Sequence, residues 1–184
     1  MTHKILKNNI YGVDLDPKAV EIDQLNLLLQ ISQRKERLTI FQNNIKVGNN
    51  LIDDTNVSDR AFKWEEELPE IMKNGGFDII IGNPLYVRIQ DLGITQSKFF
   101  NSKFESATKN YDIYVLFIER SMKLPARNGI LGFILASKFI NADSGTRIKN
   151  VISKSKTLYK IVDFKDFQIF WDCNKLHQFA IPTE

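Results

Sequence analysis

The sequence FDIIIGNPLY, from Phe77 to Tyr86, joins an apolar run to a short polar turn. The run Phe77–Ile81 lies between paired glycines and a Gly-Asn-Pro turn, and it predicts a buried strand of a parallel sheet. Ligand sites of open α/β sheets lie where the strands end on their carboxyl side. Asn83, Pro84 and Tyr86 are therefore candidate site residues. The alternative is a strand-to-loop turn without further function, because Gly-Asn-Pro is common turn chemistry.

Strands and helices alternate on both sides of this stretch, which predicts an α/β fold with a mostly parallel sheet covered by helices on both faces. A proline after the first short apolar run suits a first helical turn, and apolar residues then recur at helical spacing. Residues 87–110 are polar and irregular, which indicates a long functional loop. The expected strands are Ile10–Asp14, Leu38–Gln42, Phe77–Ile81, Ile130–Ala136, Thr157–Phe164 and Leu176–Ile181, and the expected helices are Pro17–Ile31, Phe62–Lys73, Tyr111–Leu124 and Ser144–Ser153.

The chain has 184 residues, 43% of them hydrophobic. This length and hydrophobic content are enough for one domain with its own core. The sequence has no apolar run of about 18 residues and no signal-peptide core, so we expect neither a membrane span nor export. Cys173 is the single cysteine, which excludes an internal disulfide and fits the reducing cytoplasm. Only two histidines, far apart, accompany it, so the sequence predicts no metal site.

Charge is unevenly distributed, although the net charge is only +3. Ser97–Lys160 contains twelve basic and four acidic residues. A basic half of this kind can attract a polyanion such as nucleic acid. A solvated, lysine-rich surface is the alternative.

The tetrapeptide at Asn83 suits methyl transfer to a planar amine. The lone pair of a purine amino group is delocalised into the ring, so the amine is a poor nucleophile. The Asn83 side-chain oxygen and the Pro84 carbonyl can accept its two N–H bonds and stabilise the charge that develops on nitrogen. Tyr86 offers a flat face for stacking, worth roughly 1–3 kcal/mol per base. A base inside a duplex must be flipped out to reach such a pocket.

The stretch IIIGNPLYVRIQDL resembles the Asn-Pro-Pro-Tyr motif of the DNA adenine-N6 methyltransferases, and is most similar to type IIG restriction–modification enzymes. Leu85 stands where that family has its second proline, which restores a backbone N–H and loosens the loop. The resemblance implies a Rossmann-like class I S-adenosylmethionine-dependent methyltransferase fold. It also implies site-specific methylation of a flipped adenine in double-stranded DNA, as part of a restriction–modification enzyme.

Further resemblances extend over nearly the whole chain. The stretch IYGVDLD is similar to the family's second strand, which implies that Asp14 binds the cofactor ribose; the alternative role of a helix N-cap better suits Asp16. Asn49, in GNNL, matches the position that reads the cofactor adenine. The tail from Ile161 resembles the last two strands, and Phe170 is the match for a second aromatic beside the flipped base, with a core phenylalanine as the alternative.

The resemblance also implies a missing part, because the family's first strand and its glycine-rich turn have no counterpart before Ile10. We therefore expect residues 1–184 to form a single partial catalytic domain without a target-recognition domain. In the family the missing strand is central, between Ile10–Asp14 and Phe77–Ile81. Its loss would leave unpaired edges or force the two strands together. Weak or absent binding of S-adenosylmethionine, and a second chain that supplies the missing segment, are the corresponding expectations.

Two other classes of function use the same residues. A methyltransferase acting on a protein glutamine or an RNA base could use this motif, since it serves any planar nitrogen. A non-catalytic module that binds DNA or complements a partner chain is also compatible with Leu85 and the missing strand. A nicotinamide-binding fold is disfavoured, because no Gly-x-Gly-x-x-Gly follows an expected strand.

Overall fold

The structure is a computed structural model that describes residues 2–31, 41–84, 86–108, 110–164 and 178–179. Contacts divide the chain into two compact units, Met1–Glu67 and Leu68–Glu184. No helix in the described ranges is both long and apolar enough to cross a membrane. Each unit contains its own parallel strand pair, so the α/β class expected from the sequence is confirmed.

The first unit is organised around two short parallel strands. Gly12 lies opposite Ile45 and Asp14 opposite Val47, which places the carboxyl ends of both strands side by side. The elements are α1 (Thr2–Asn9), β1 (Gly12–Asp14), α2 (Pro17–Gln30), β2 (Ile45–Val47) and α3 (Trp64–Glu67).

Helix α2 begins as the sequence predicts. Asp16 is its N-cap and accepts a 2.9 Å hydrogen bond from the Lys18 backbone N–H, and Pro17 occupies the first turn. The buried Gln24 side chain donates to the Ile45 carbonyl at 2.9 Å, which ties α2 to β2. The N-cap expected of Asp16 is thus confirmed, and the Asp14 side chain does not cap the helix.

Two expectations for the first 75 residues are wrong in their boundaries. Residues 32–40 lie outside the described ranges, but residues 41–44 form a turn and the strand comes later, at β2. Asn44 explains the turn, because its buried side chain donates to the Lys7 carbonyl at 2.6 Å and the Ile10 carbonyl at 3.0 Å. The helix expected at Phe62–Lys73 is divided into α3 and a second short helix that begins at Pro69.

The second unit contains the longer parallel pair. Ile79 lies opposite Ile130, Ile81 opposite Gly132, and Gly82 opposite Phe133. A third pair of strands is antiparallel, with Leu135–Ala136 opposite Gln178–Phe179. The elements are α4 (Pro69–Lys73), β3 (Phe77–Gly82), α5 (Ile94–Lys103), α6 (Tyr114–Ser121), β4 (Pro125–Phe133), β5 (Leu135–Ala136), α7 (Lys138–Asn141), α8 (Thr146–Ser155) and β6 (Gln178–Phe179).

Strand β3 is not the buried strand that its apolar sequence predicts. The side chains of Ile79 and Ile81 are 67% and 82% exposed, while Ile80 is half-buried. Successive side chains of a strand point to opposite faces, so one face of β3 is partly covered and the other is open. Among the described residues β3 pairs along one edge only, with β4.

Other expectations for the second unit need correction. The region 87–110 is not irregular, because it contains α5, anchored by the buried Phe100. Thr157–Phe164 does not form a strand and is irregular apart from a single bridge at Leu158. The expected helices at Tyr111 and Ser144 and the expected strand at Ile130 are present with shifted or shorter bounds, as α6, α8, and β4 with β5. Of the expected strand Leu176–Ile181, Gln178–Phe179 form β6, and the other positions lie outside the described residues.

The core of the second unit forms around α6, whose residues Tyr114, Val115, Leu116 and Ile118 are almost fully buried. Glu119 on the same helix is 5% exposed, and its two carboxylate oxygens accept the backbone N–H groups of residues 105 and 106 at 3.0 and 2.8 Å. Both carboxylate oxygens therefore have partners, as a buried charge requires. The bonds fix the segment that leads from α5 to α6.

The turn before β3 yields the first prediction. Gly75 and Gly76 have φ angles of 99° and 115°, but only at Gly76 would a Cβ collide with a backbone atom, the Leu124 carbonyl oxygen. Gly75→Ala should lower the free energy of unfolding by about 1 kcal/mol through backbone strain. Gly76→Ala should lower it by about 3 kcal/mol, because overpacking adds to the strain. Urea unfolding measures both, and equal losses would contradict the close packing of this turn on β4.

Candidate active site

The candidate acceptor residues follow directly on the carboxyl end of β3. The Ile134 backbone N–H donates to the Gly82 carbonyl at 3.1 Å, so pairing with the β4 segment continues to the last residue of the strand. The Phe133 ring packs over Gly82, where a Cβ would not fit. Asn83 then has an exposed side chain, and Pro84 is buried. The strand pairing thus fixes the point at which the Asn83 amide enters solvent.

Tyr86 is held beside this strand end by contacts at both its ring and its hydroxyl. Its hydroxyl donates to the Ile134 carbonyl at 3.3 Å, and its ring lies 5.6 Å from the Tyr114 ring with a 60° tilt. The side chain is half-buried. Burial, followed by the charge of Asp112, raises the pKa of Tyr114 far above the ordinary tyrosine value.

The chain after the tetrapeptide forms a short antiparallel contact with the segment before α6. The Ile89 N–H donates to the Tyr111 carbonyl at 3.0 Å, and the Ile113 N–H donates to the Val87 carbonyl at 2.8 Å. A cleft of about 320 Å³ opens here, and Asn83 and Tyr86 are not among its lining residues. Its lining residues are Arg88, Ile89, Gln90, Asn110, Tyr111, Asp112 and Ser144.

Within the first unit, Asp14 and Asn49 lie at the carboxyl ends of adjacent strands. The Gly48 N–H donates to the Asp14 carbonyl at 2.9 Å, which brings the two chain segments together. Asp14 is exposed, and its Oδ1 accepts the Asp16 N–H at 2.7 Å. Asn49 is half-buried, and its Oδ1 accepts the Leu51 N–H at 3.2 Å. The two residues proposed for one ligand are therefore neighbours.

The remaining candidates are placed less completely. Phe170 and Leu85 lie outside the described residues. No cluster of His, Cys, Asp or Glu with metal-binding geometry occurs in the described part of the chain. The contact between Tyr114 and Tyr86 was not predicted, because helical periodicity marks Tyr114 as buried without naming its neighbour. The pairing of Arg88 with Asp112 was also missed, although the alternating sequence VRIQ after Tyr86 is a weak strand signal.

Comparison with known proteins relates most of this chain to one family. Residues 8–170 match the family described as Eco57I restriction-modification methylase. The type II restriction enzyme and methyltransferase RM.Eco57I of Escherichia coli is 34% identical over 182 residues, covering 91% of this chain and 18% of that protein. The adenine-specific methyltransferase PglX of Streptomyces coelicolor is 23% identical over 189 residues, covering 85% of this chain and 16% of that protein.

The chain spans about a fifth or less of the length of these curated relatives. A solved structure from Listeria monocytogenes, described as a candidate class I S-adenosylmethionine-dependent methyltransferase, covers 99% of this chain and 57% of that one. Its sequence identity is 13% and its TM-score is 0.46. A match at that level adds nothing to the sequence comparisons.

Burial of Tyr111 beside the cleft gives a pH prediction. Burial raises the pKa of this residue from 10.0 to about 12. The unfolded chain therefore loses the phenolic proton near pH 10 while the folded chain keeps it, so stability falls between pH 10 and pH 12, by up to about 2.7 kcal/mol for two pKa units. Tyr111→Phe should remove this part of the alkaline loss. Denaturation at pH 9 and pH 12 measures it.

The matched control is Tyr159→Phe, because Tyr159 is 66% exposed. That variant should show the same alkaline loss as the unchanged protein. If Tyr111→Phe also shows the unchanged loss, Tyr111 is not buried as the structure places it.

Proposed function

Because this chain belongs to the Eco57I restriction-modification methylase family, we propose that it carries the acceptor site of an S-adenosylmethionine-dependent DNA adenine-N6 methyltransferase. One observation carries the proposal: Asn83-Pro84 follows directly on the paired carboxyl end of β3, with the Asn83 amide exposed. The relative PglX is an adenine-specific methyltransferase, which supports the choice of base. Double-stranded DNA is the proposed partner, and the excess of basic residues from Ser97 to Lys160 is consistent with it.

The chemistry assigned to the chain is the holding of one amino group. The Asn83 side-chain oxygen accepts one N–H of the adenine amino group, and the Pro84 carbonyl accepts the other. Two acceptors out of the base plane favour a pyramidal nitrogen, whose lone pair would form the new N–C bond as the S–CH3 bond of a bound methyl donor breaks and the neutral thioether leaves. The same oxygens stabilise the positive charge on that nitrogen until its extra proton leaves to solvent. Tyr86, fixed by its contacts to Tyr114 and Ile134, presents a face to the flipped base, and Phe170 is proposed for the other side.

S-adenosylmethionine supplies an electrophilic methyl group when it is bound, and the first unit has residues that fit its nucleoside part. Asp14 uses one carboxylate oxygen for the Asp16 N–H; in the described part of the chain its second oxygen makes no hydrogen bond. That oxygen suits the ribose hydroxyls, as acidic residues do in dinucleotide sites. Asn49 uses its side-chain oxygen for Leu51, which leaves its amide N–H groups to donate to an adenine ring nitrogen.

We further propose that a strand from outside the described residues, followed by a glycine-rich turn, pairs with the open edge of β3. Parallel sheets are normally covered on both faces. Here Ile79 and Ile81 are largely exposed, and β3 has one neighbour among the described residues. The chain alone should accordingly bind S-adenosylmethionine weakly or not at all. Tight binding by the isolated chain would contradict this part of the proposal.

Methyl transfer is best tested in a hybrid protein in which this chain replaces the 182 matching residues of the Escherichia coli relative. Duplex DNA and labelled S-adenosylmethionine should give N6-methyladenine, identified by mass spectrometry of the digested DNA. Asn83→Ala should lower the rate by about 10²- to 10³-fold, the usual effect of removing one group that stabilises a transition-state charge.

The matched control for that experiment is Asn150→Ala, since Asn150 is an exposed asparagine on α8. It should leave the rate unchanged. Methylation of cytosine or of a protein glutamine instead of adenine, or an undiminished rate in Asn83→Ala, would contradict the proposed reaction or its site.

Cofactor binding provides a separate prediction. In the same hybrid protein, Asp14→Asn should weaken binding of S-adenosylmethionine about 10- to 100-fold, because a hydrogen bond to a charged group contributes about 1.5–3 kcal/mol. Isothermal titration calorimetry gives the dissociation constants. Asp23→Asn removes an equivalent exposed charge from α2 and should have no effect. Equal weakening in both variants would indicate a general charge effect in place of a ribose contact.

A further inference from the structure

We propose that Arg88 and Asp112 together read the major-groove edge of a G·C base pair beside the target adenine. The inference rests on the proposed function and adds a specificity-determining pair to it. Arg88 and Asp112 are bridge partners in the antiparallel contact that follows Tyr86, and both line the 320 Å³ cleft. Arg88 is exposed and Asp112 is half-buried.

The hydrogen bonds around this bridge fix the two side chains on one face. Bonds run from the Ile89 N–H to Tyr111 and from the Ile113 N–H to Val87, so Arg88 and Asp112 themselves form the non-hydrogen-bonded pair between them. In such a pair the Cα atoms are only about 4.5 Å apart and the side chains lie next to each other. The Arg88 guanidinium nevertheless makes no hydrogen bond or ion pair with any described residue, so all its donors are available to a ligand.

The two groups match the edge of one particular base pair. In the major groove guanine presents two acceptors, O6 and N7, and the paired cytosine presents the N4 amino donor next to them. An arginine donates in bidentate fashion to the guanine acceptors, and an aspartate accepts from the cytosine amino group. An A·T pair offers arginine only one acceptor before the adenine amino donor intervenes.

A phosphate is the less suitable ligand for this cleft. The Asp112 carboxylate would repel a phosphodiester held by Arg88, and the other polar lining residues, Gln90, Asn110 and Ser144, are neutral. A base edge, which carries donors and acceptors without net charge, uses both signs. Arg88 follows Tyr86 by two residues, so a base edge in the cleft belongs to a neighbour of the base stacked on Tyr86.

Fluorescence anisotropy with the full chain tests the pair. The probes are labelled duplexes with the target adenine opposite an abasic site, which lowers the cost of extrusion, and with each of the four base pairs in turn on either side. The chain should prefer G·C or C·G at one flank by roughly ten- to a hundredfold. Arg88→Ala and Asp112→Ala should abolish the preference. Arg127→Ala removes an exposed arginine from β4. It should lower binding to all duplexes alike and leave the G·C preference unchanged.

Arg88→Lys separates base reading from phosphate binding, because lysine keeps the charge but lacks the bidentate fork. Loss of the G·C preference with retained affinity supports the inference. A lysine variant that behaves like the unchanged chain, or an unchanged chain indifferent to its flanks, overturns it. Replacing the target adenine by thymine tests the proposed function separately. Binding that depends on the target adenine but not on the flanking base pairs contradicts only the role proposed for Arg88 and Asp112. No binding of the full chain to any duplex also overturns the inference, whereas the proposed function is tested by methyl transfer in the hybrid protein.

Discussion

Parallel pairing between β3 and β4 is the constraint on which the proposed acceptor site depends. The ladder runs from Ile79–Ile130 to Gly82–Phe133, and one more hydrogen bond, from Ile134 to Gly82, closes it at the last strand residue. Backbone direction is therefore fixed up to the point where Asn83 begins. A side-chain amide used in catalysis has to be held in place by its support. Here the support is backbone hydrogen bonding, and the Phe133 ring packs against Gly82, the glycine that ends β3.

Both units contain the same arrangement, and the proposed function gives each a different role. In each, two parallel strands end side by side with polar side chains at or just beyond their carboxyl ends: Asp14 and Asn49 in the first unit, Asn83 in the second. Open α/β sheets bind their ligands at such strand ends. The first unit offers a carboxylate and an amide suited to hydroxyl groups and a base edge. The second offers oxygens suited to an amine.

Local sequence signals were sufficient for much of this arrangement. Asp16-Pro17 marks the start of α2, the paired glycines mark the turn before β3, and Gly82-Asn83-Pro84 marks its end. Local sequence signals did not predict the structure where contacts between distant residues determine it. β2 lies beyond the run Leu38–Gln42 because Asn44 forms a turn with distant carbonyls. Helix α5 has a single fully buried anchor, Phe100, too little for periodicity to reveal it. The exposure of Ile79 and Ile81 depends on what covers β3, which no local pattern states.

The central claim is that Asn83 and Pro84 hold the amino group of the target adenine, and it is tested most directly at that amino nitrogen. Duplex DNA labelled with ¹⁵N at the amino group of the target adenine can be followed by NMR in complex with the hybrid protein. Two new hydrogen bonds should move both amino proton resonances away from their positions in paired DNA, and Asn83→Ala should move one of them to the position of an amino proton without a protein acceptor. Amino protons that keep the positions of a paired adenine, or that are the same with and without the Asn83 side chain, would contradict the account.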